Sequence, residues 1–327
     1  MGVLGLGLMG NGIVQITAAV AGLPVVAVDV SEAALVKGKA TILKSLALLS
    51  SKAVAKGSMD KEAAEKYVSR AESNITTTTD RAALRTCDLV IEAAPEEWAL
   101  KKKLYAELRG HVSPAAILAS NTSGLLIADL AREFGAPERV LGLHYFNPVP
   151  LMQLCEVVST PLTLQVHVDA VTQLVKAQGK TPVLVKDSPG FVVNRLLVPF
   201  LAQAIKLWGD GIASTADIDT AMKLGCGHPM GPLHLADYVG LDTTLFILRN
   251  CECAAHPLKS SVHCATHRNN NTNPTFFSRD AGTSKHPDEK AFFVPQALEE
   301  IVAKGHLGRK SGRGFYVWEG EKVVRPS

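Results

Sequence analysis

The stretch GLHYFNPVPLMQLCEV, residues 142–157, is almost wholly apolar yet carries one imidazole, His144, and one carboxylate, Glu156. Val140 to His144 reads as one strand and Leu151 to Val158 as another. Pro148 and Pro150 cannot continue a ladder and favour a reversal between them. If the chain folds back near residue 150, opposed residues sum to about 300, as 144 + 156 does. Directly opposed strand residues have Cβ atoms roughly 4.5–5.5 Å apart, which brings a carboxylate within reach of an imidazole. Such a carboxylate fixes the ring's orientation and balances the charge it gains with a proton, as a general base requires. The same geometry also describes an ion pair that only stabilises the fold, so the rest of the chain must decide.

A second constellation opens the chain. The apolar run Met1 to Leu4 meets Gly5-Leu6-Gly7-Leu8-Met9-Gly10, an apolar helix follows to about Ala21, and a second strand, Pro24 to Val28, ends at Asp29. A GxGxxG between strand and helix, with an acid 29 − 10 = 19 residues later, is a dinucleotide fingerprint. Gly5 permits the turn, Gly7 admits a pyrophosphate, Gly10 lets helix and strand approach, and the helix N-terminus offers free N–H groups. Asp29 would accept from the adenosine ribose hydroxyls and repel a 2′-phosphate, which selects NAD.

The elements that must position these residues follow from the remaining sequence. Ser31 caps a long helix, and DKEAAEKYVSRAE follows Gly57 as its partner, a helical hairpin over about 31–72. Its exposed face carries Ser45, Lys52 and Lys56; lysines there read first as solvation. DLVIEAAPEE (88–97) and AAILASNTSGLL (115–126) are buried strands closing on polar loops, and strand C-termini are where open α/β sheets bind ligands. Strand–helix alternation stops near residue 185. Beyond it Ser188 and Pro189 suit the start of a long apolar helix, with Pro199 inside it and Asn194 a polar residue within its stripe. STADIDTAMKLGCG reads as a capped helix ended by Gly225, and GHLGRKSGRGFYVWEG as a basic glycine-rich turn. Residues 251–285 lack periodicity and are expected as a disordered insertion. Cys251, Cys253, His256, His263, Cys264 and His267 lie in it or at its start, but their spacing matches no familiar zinc pattern, so no metal is expected.

A chain of 327 residues predicts two domains, 1–185 and 186–327. The formal net charge of +3 argues against a dedicated nucleic-acid binder. Cys87, Cys155 and Cys226 read as reduced core thiols, which implies a reducing compartment, mitochondrial matrix or cytoplasm. No run approaches a membrane span, no leader is visible, and Arg325-Pro326-Ser327 is not a peroxisomal signal.

Taken together, GLGLMG (5–10), SNTS (120–123), GLHYFNPVP (142–150), LCEV, DSPGFVVNR (187–195), AMKLGCGHPMGP (221–232) and DYVGLDT (237–243) resemble the L-3-hydroxyacyl-CoA dehydrogenases. The resemblance covers nearly the whole chain except 251–285. It implies a Rossmann-type doubly wound α/β sheet with an inserted helical hairpin, followed by an all-α C-terminal domain. It also implies oxidation of an L-3-hydroxyacyl-CoA to the 3-ketoacyl-CoA with NAD, a step of fatty acid β-oxidation. His144 would be the base and Glu156 its partner, with Ser123 and Asn194 steadying the reacting oxygen. Gly5 to Gly10, Asp29, Glu96, Lys101, Ser123 and Lys310 would contact NAD, and Ser45, Lys52 and Ser123 the CoA substrate. The C-terminal domain would form a homodimer, which the insertion at 251–285 interrupts. The alternatives are a related dehydrogenase acting on a CoA-free hydroxy acid, and an inactive structural relative.

Overall fold

A computed structural model describes residues 1–255 and 292–327. The chain divides into two compact units, Met1–Phe191 and Val192–Ser327. The division falls at Phe191, past the expected residue 185.

The first unit is built on eight strands: β1 (Gly2–Leu4), β2 (Val25–Val28), β3 (Ile75–Thr78), β4 (Leu89–Glu92), β5 (Ile117–Ser120), β6 (Val140–Tyr145), β7 (Leu154–Ser159) and β8 (Thr181–Lys186). They lie in the order β3-β2-β1-β4-β5-β6-β7-β8. The pairings from β3 to β6 are parallel, β7 runs antiparallel to β6, and β8 runs with β7. Helices α1 (Leu8–Ala19), α2 (Glu32–Ala55), α3 (Lys61–Ser73), α4 (Trp98–Leu108), α5 (Ile127–Phe134) and α6 (Gln165–Ala177) alternate with the strands, α2 and α3 being the inserted hairpin. This is the Rossmann-type doubly wound arrangement. Successive strand residues face opposite layers. Val3, Ile91 and Leu143 pack with Ile13, Leu35 and Val171 on one side. Leu4, Val90 and Val158 pack with Leu104, Leu130 and Phe191 on the other.

The carboxylate of the DSPGFVVNR motif has a structural task here. Asp187 accepts from the backbone N–H groups of Ile127 (3.1 Å) and Ala128 (2.8 Å), satisfying the orphan donors at the start of α5. The helix expected from Ser188 begins instead at Val193. Gly190 and Phe191 hold φ of 74° and 52°, left-handed values that no helix accommodates.

The second unit holds α7 (Val193–Gly209), α8 (Thr215–Cys226), α9 (Pro232–Val239), α10 (Leu241–Ala255) and α11 (Gln296–Ala303). Pro199 sits inside α7 as expected. The left-handed residue that ends α8 is Gly227, not Gly225. Residues 251–255, expected as the start of an insertion, belong to α10; the rest of that stretch, with His256, His263, Cys264 and His267, lies outside the described residues. The unit is not all-α: β9 (Tyr316–Glu319) and β10 (Lys322–Pro326) pair antiparallel at the end of the chain. The anchor of that hairpin is Asp237 of α9, fully buried, which accepts from Phe315 N, Tyr316 N and Trp318 Nε1, each at 2.9 Å. Cys226, expected in the core, is exposed, whereas Cys87, Cys155 and Cys251 are buried and unpaired by disulfide. Among the described residues no cluster of His, Cys, Asp and Glu could hold a metal, and no helix is long and apolar enough to cross a membrane.

Two substitutions test this account. Asp237→Ala strands three buried donors and is expected to cost at least about 3 kcal/mol in urea denaturation, read by tryptophan fluorescence; a loss below about 1 kcal/mol would contradict the anchoring role. Burial raises the Asp187 pKa from 3.8 to about 6 despite its two N–H donors. The folded state therefore binds the extra proton, and wild-type stability falls as pH rises between those values, by about 2 kcal/mol. Asp187→Asn cannot titrate, so its denaturation midpoint should gain on wild type between pH 4.5 and 7, and a constant gap would refute the titration.

Candidate active site

The loop after β1 is shaped by what has no side chain. A Cβ on Gly10 would lie 1.8 Å from the Gly5 carbonyl oxygen, so only glycine lets α1 start so close to the strand. A Cβ on Gly7 would meet nothing within 4 Å, which leaves open space over the turn. Gly7 is also the N-cap of α1, with no capping side chain and no acid in the first turn. Uncapped N–H groups beside open space suit a pyrophosphate. Leu6 is buried beneath the turn, while Leu8 is exposed and Met9 half-buried. Asp29 follows β2 and accepts from Leu6 N at 2.8 Å and Ser31 N at 3.3 Å, so its carboxylate steadies the glycine turn at the ribose position. These residues fit a dinucleotide.

Beyond β4 and β5 a buried network frames the SNTS loop. Glu92, at the end of β4, accepts from Lys101 Nζ (2.7 Å), Ser120 Oγ (2.7 Å) and Ala94 N (2.7 Å). Lys101 also reaches Glu96 Oε2 at 3.2 Å. Glu96 Oε1 in turn accepts from Ser123 N (2.8 Å), Gly124 N (3.2 Å) and the Thr122 hydroxyl. Burial works against the Lys101 ammonium, but the Glu92 and Glu96 carboxylates more than offset it and its pKa is raised. Lys101, which the resemblance implies as a cofactor contact, is 1% exposed and pairs with Glu96 beneath the Ser123 loop. Its two carboxylate partners are not both visible in a sequence: Glu92 closes the strand LVIE, and its inward orientation is a tertiary fact.

The β6–β7 pair carries the imidazole. Its register matches His144 with Glu156, between Leu143↔Val157 and Tyr145↔Cys155. Their neighbours Leu143, Tyr145, Cys155 and Val157 all pack in the α1 layer, so both side chains point to the opposite face of the sheet. His144 Nδ1 lies 2.7 Å from Glu156 Oε2, with the carboxylate fully buried and the histidine 4% exposed. The rings of Phe146 and Phe191 flank the imidazole at centroid distances of 4.5 and 5.5 Å. With Nδ1 committed to the carboxylate, proton exchange falls to Nε2. Asn121 accepts from Tyr145 N at 3.0 Å and ties the SNTS loop to β6 beside His144.

The glycine loop, Glu96, Ser123 and His144 therefore all lie at or beyond the C-terminal ends of parallel strands, the ligand side of such sheets. Ser45, half-buried, and Lys52, exposed, sit seven positions apart on one face of α2, away from this group in sequence and element. Two expected site residues belong to the second unit. Asn194 is 8% exposed in the first turn of α7, and Lys310 pairs with Asp242 at the start of α10.

Comparisons with known proteins point to one family. Residues 1–188 match the family described as 3-hydroxyacyl-CoA dehydrogenase, NAD binding domain, and residues 190–272 match its C-terminal domain. The mitochondrial hydroxyacyl-coenzyme A dehydrogenase of Rattus norvegicus is 41% identical over 318 residues, covering 97% of this chain and 90% of the relative. A 3-hydroxybutyryl-CoA dehydrogenase of Clostridioides difficile is 40% identical over 80% of this chain and 92% of its own length. The crystal structure of (S)-3-hydroxybutyryl-CoA dehydrogenase from Ralstonia eutropha superposes with a TM-score of 0.80 at 39% identity, covering 97% of this chain and 98% of that one. With both family domains matched in order over most of its length, the chain belongs to the 3-hydroxyacyl-CoA dehydrogenase family.

Proposed function

We infer that the chain oxidises an L-3-hydroxyacyl-CoA to the 3-ketoacyl-CoA, with NAD as hydride acceptor, and that His144 is the general base. The observation that carries this reading is the 2.7 Å contact between His144 Nδ1 and a fully buried Glu156 carboxylate, in the same sheet as the strand that opens onto the dinucleotide loop. Gly5, Leu6, Gly7, Leu8, Met9, Gly10 and Asp29 would hold NAD, with Glu96 and Ser123 beyond them. Bound NAD supplies the acceptor for the hydrogen that leaves C3 with its electron pair. His144 Nε2 takes the C3 hydroxyl proton, and Glu156 holds the ring in place and balances its new charge. In the reverse direction His144 returns that proton. Ser123, whose backbone N–H is pinned by Glu96, orients the oxygen. The family likeness gives Asn194 the same task and Lys310 a cofactor contact.

Ser45 and Lys52 are proposed to take the CoA moiety, the ammonium of Lys52 facing one of its phosphates. An exposed lysine and a half-buried serine on one helix face support that assignment. A homodimer through the second unit fits the exposed Leu196, Ile212 and Leu224 there. A reducing compartment, matrix or cytoplasm, fits the buried free thiols.

NADH formation from 3-hydroxybutyryl-CoA, followed by absorbance, tests the reading. His144→Ala should lower kcat by about 10²–10⁴-fold and Glu156→Gln should follow it in direction, with NAD affinity retained; normal turnover in either variant would overturn the assignment. Lys52→Ala should raise KM for the acyl-CoA about tenfold at unchanged kcat. Equal turnover of free 3-hydroxybutyrate and its CoA ester would favour the CoA-free reading instead.

A further inference from the structure

The corner Gln178-Gly179-Lys180, between α6 and β8, carries two buried polar side chains with no place in the site described above. Gln178 is 1% exposed; its Oε1 accepts from the Tyr145 hydroxyl at 2.7 Å, and its Nε2 donates to Thr17 Oγ1 at 2.7 Å. Thr17 belongs to α1, the helix that opens at the dinucleotide loop, and Tyr145 directly follows His144. Lys180, 7% exposed, donates to the carbonyls of Val149 (2.5 Å) and Met152 (2.7 Å) in the reversal between β6 and β7. That reversal also rests on α1 directly. A Cβ at Gly12 would lie 2.5 Å from Val149 Cβ, so helix and hairpin tip meet where the helix has no side chain.

The corner thus grips the hairpin at the last strand pair before its reversal and within the reversal itself, and grips α1 as well. Burying an ammonium against two neutral carbonyls is a costly way to hold a turn, since a buried charge without a counter-charge loses its hydration. It does, however, fix two carbonyl positions at once, which an apolar side chain of equal length cannot do. Displacing a reacting group by about 1 Å can cost on the order of 10² in rate, so a lock between base and cofactor helix has kinetic weight.

We propose that Gln178 and Lys180 are positioning residues for hydride transfer, locking the hairpin that carries His144 and Glu156 to the helix that opens at the cofactor loop. The inference rests on the functional reading of His144, and it is tested by two variants. Lys180→Met keeps the chain length without the ammonium. Gln178→Glu keeps an acceptor for Tyr145 but loses the donor to Thr17, and preserves volume should the first variant fold poorly. In the protein without cofactor, hydrogen exchange at Leu151 and Met152 should quicken at least tenfold in Lys180→Met. In assays well below the melting temperature, kcat should fall about 10–100-fold in either variant, with NAD affinity within about twofold of wild type. The primary isotope effect with C3-deuterated substrate should rise as hydride transfer becomes limiting. Unchanged kcat and isotope effect alongside a lowered melting temperature would reduce the corner to a stabilising role and overturn the proposal. Should wild type fail to oxidise any 3-hydroxyacyl-CoA, the functional reading falls first, and the exchange measurement still decides whether the lock exists.

Discussion

A carboxylate on one strand holds the imidazole opposite it on the antiparallel neighbour by one nitrogen, and the proposed chemistry depends on their register. A slip of one residue between β6 and β7 would send one of the two side chains to the other face of the sheet, because strand side chains alternate. The register is fixed from several sides. β6 is paired in parallel with β5, β7 with β8, and the backbone N–H of Tyr145 is held by Asn121. The hairpin is therefore an inner part of an eight-stranded sheet rather than a free ribbon, and its flanking residues are buried in both layers.

Buried charge does the corresponding work in the SNTS loop. Lys101, Glu92 and Glu96 are sequestered at a desolvation cost, and removing one partner would leave an unpaired charge in the interior. The arrangement delivers a carboxylate oxygen that collects the N–H groups of Ser123 and Gly124 and the hydroxyl of Thr122. A loop of small polar residues, which alone would sample many conformations, is given one. Asp187, half-buried, and Asp237, fully buried, follow the same logic, each using a carboxylate to gather backbone donors at an element's end. The acids of the motif DSPGF and of the run HLADYVG are in this sense fasteners.

The parts legible in the sequence are those written locally. Glycine spacing, the acid after β2 and the two prolines between paired strands all act within a few residues of where they stand, and from them the dinucleotide loop and the His144–Glu156 register can be derived. Where long-range packing decides, the sequence says less. That the Lys101 ammonium turns inward onto Glu92 and Glu96 is revealed only by the fold. Ser188 and Pro189 carry a good helix-start signature, yet left-handed Gly190 and Phe191 postpone α7 to Val193. The terminal hairpin had a signal in the apolar FYVW and the Glu319-Gly320 turn, outweighed by the helical tone of the second half. Gln178 and Lys180 sit in an ordinary-looking turn, and nothing local tells that their partners lie on α1 and in the hairpin.

The most direct test of the central claim is a crystal structure of the protein with NAD and acetoacetyl-CoA. The account predicts the C3 oxygen within hydrogen-bond reach of His144 Nε2, about 2.6–3.2 Å, with Nδ1 still on Glu156. A C3 oxygen held by other groups, with the imidazole turned away from it or released from Glu156, would contradict it.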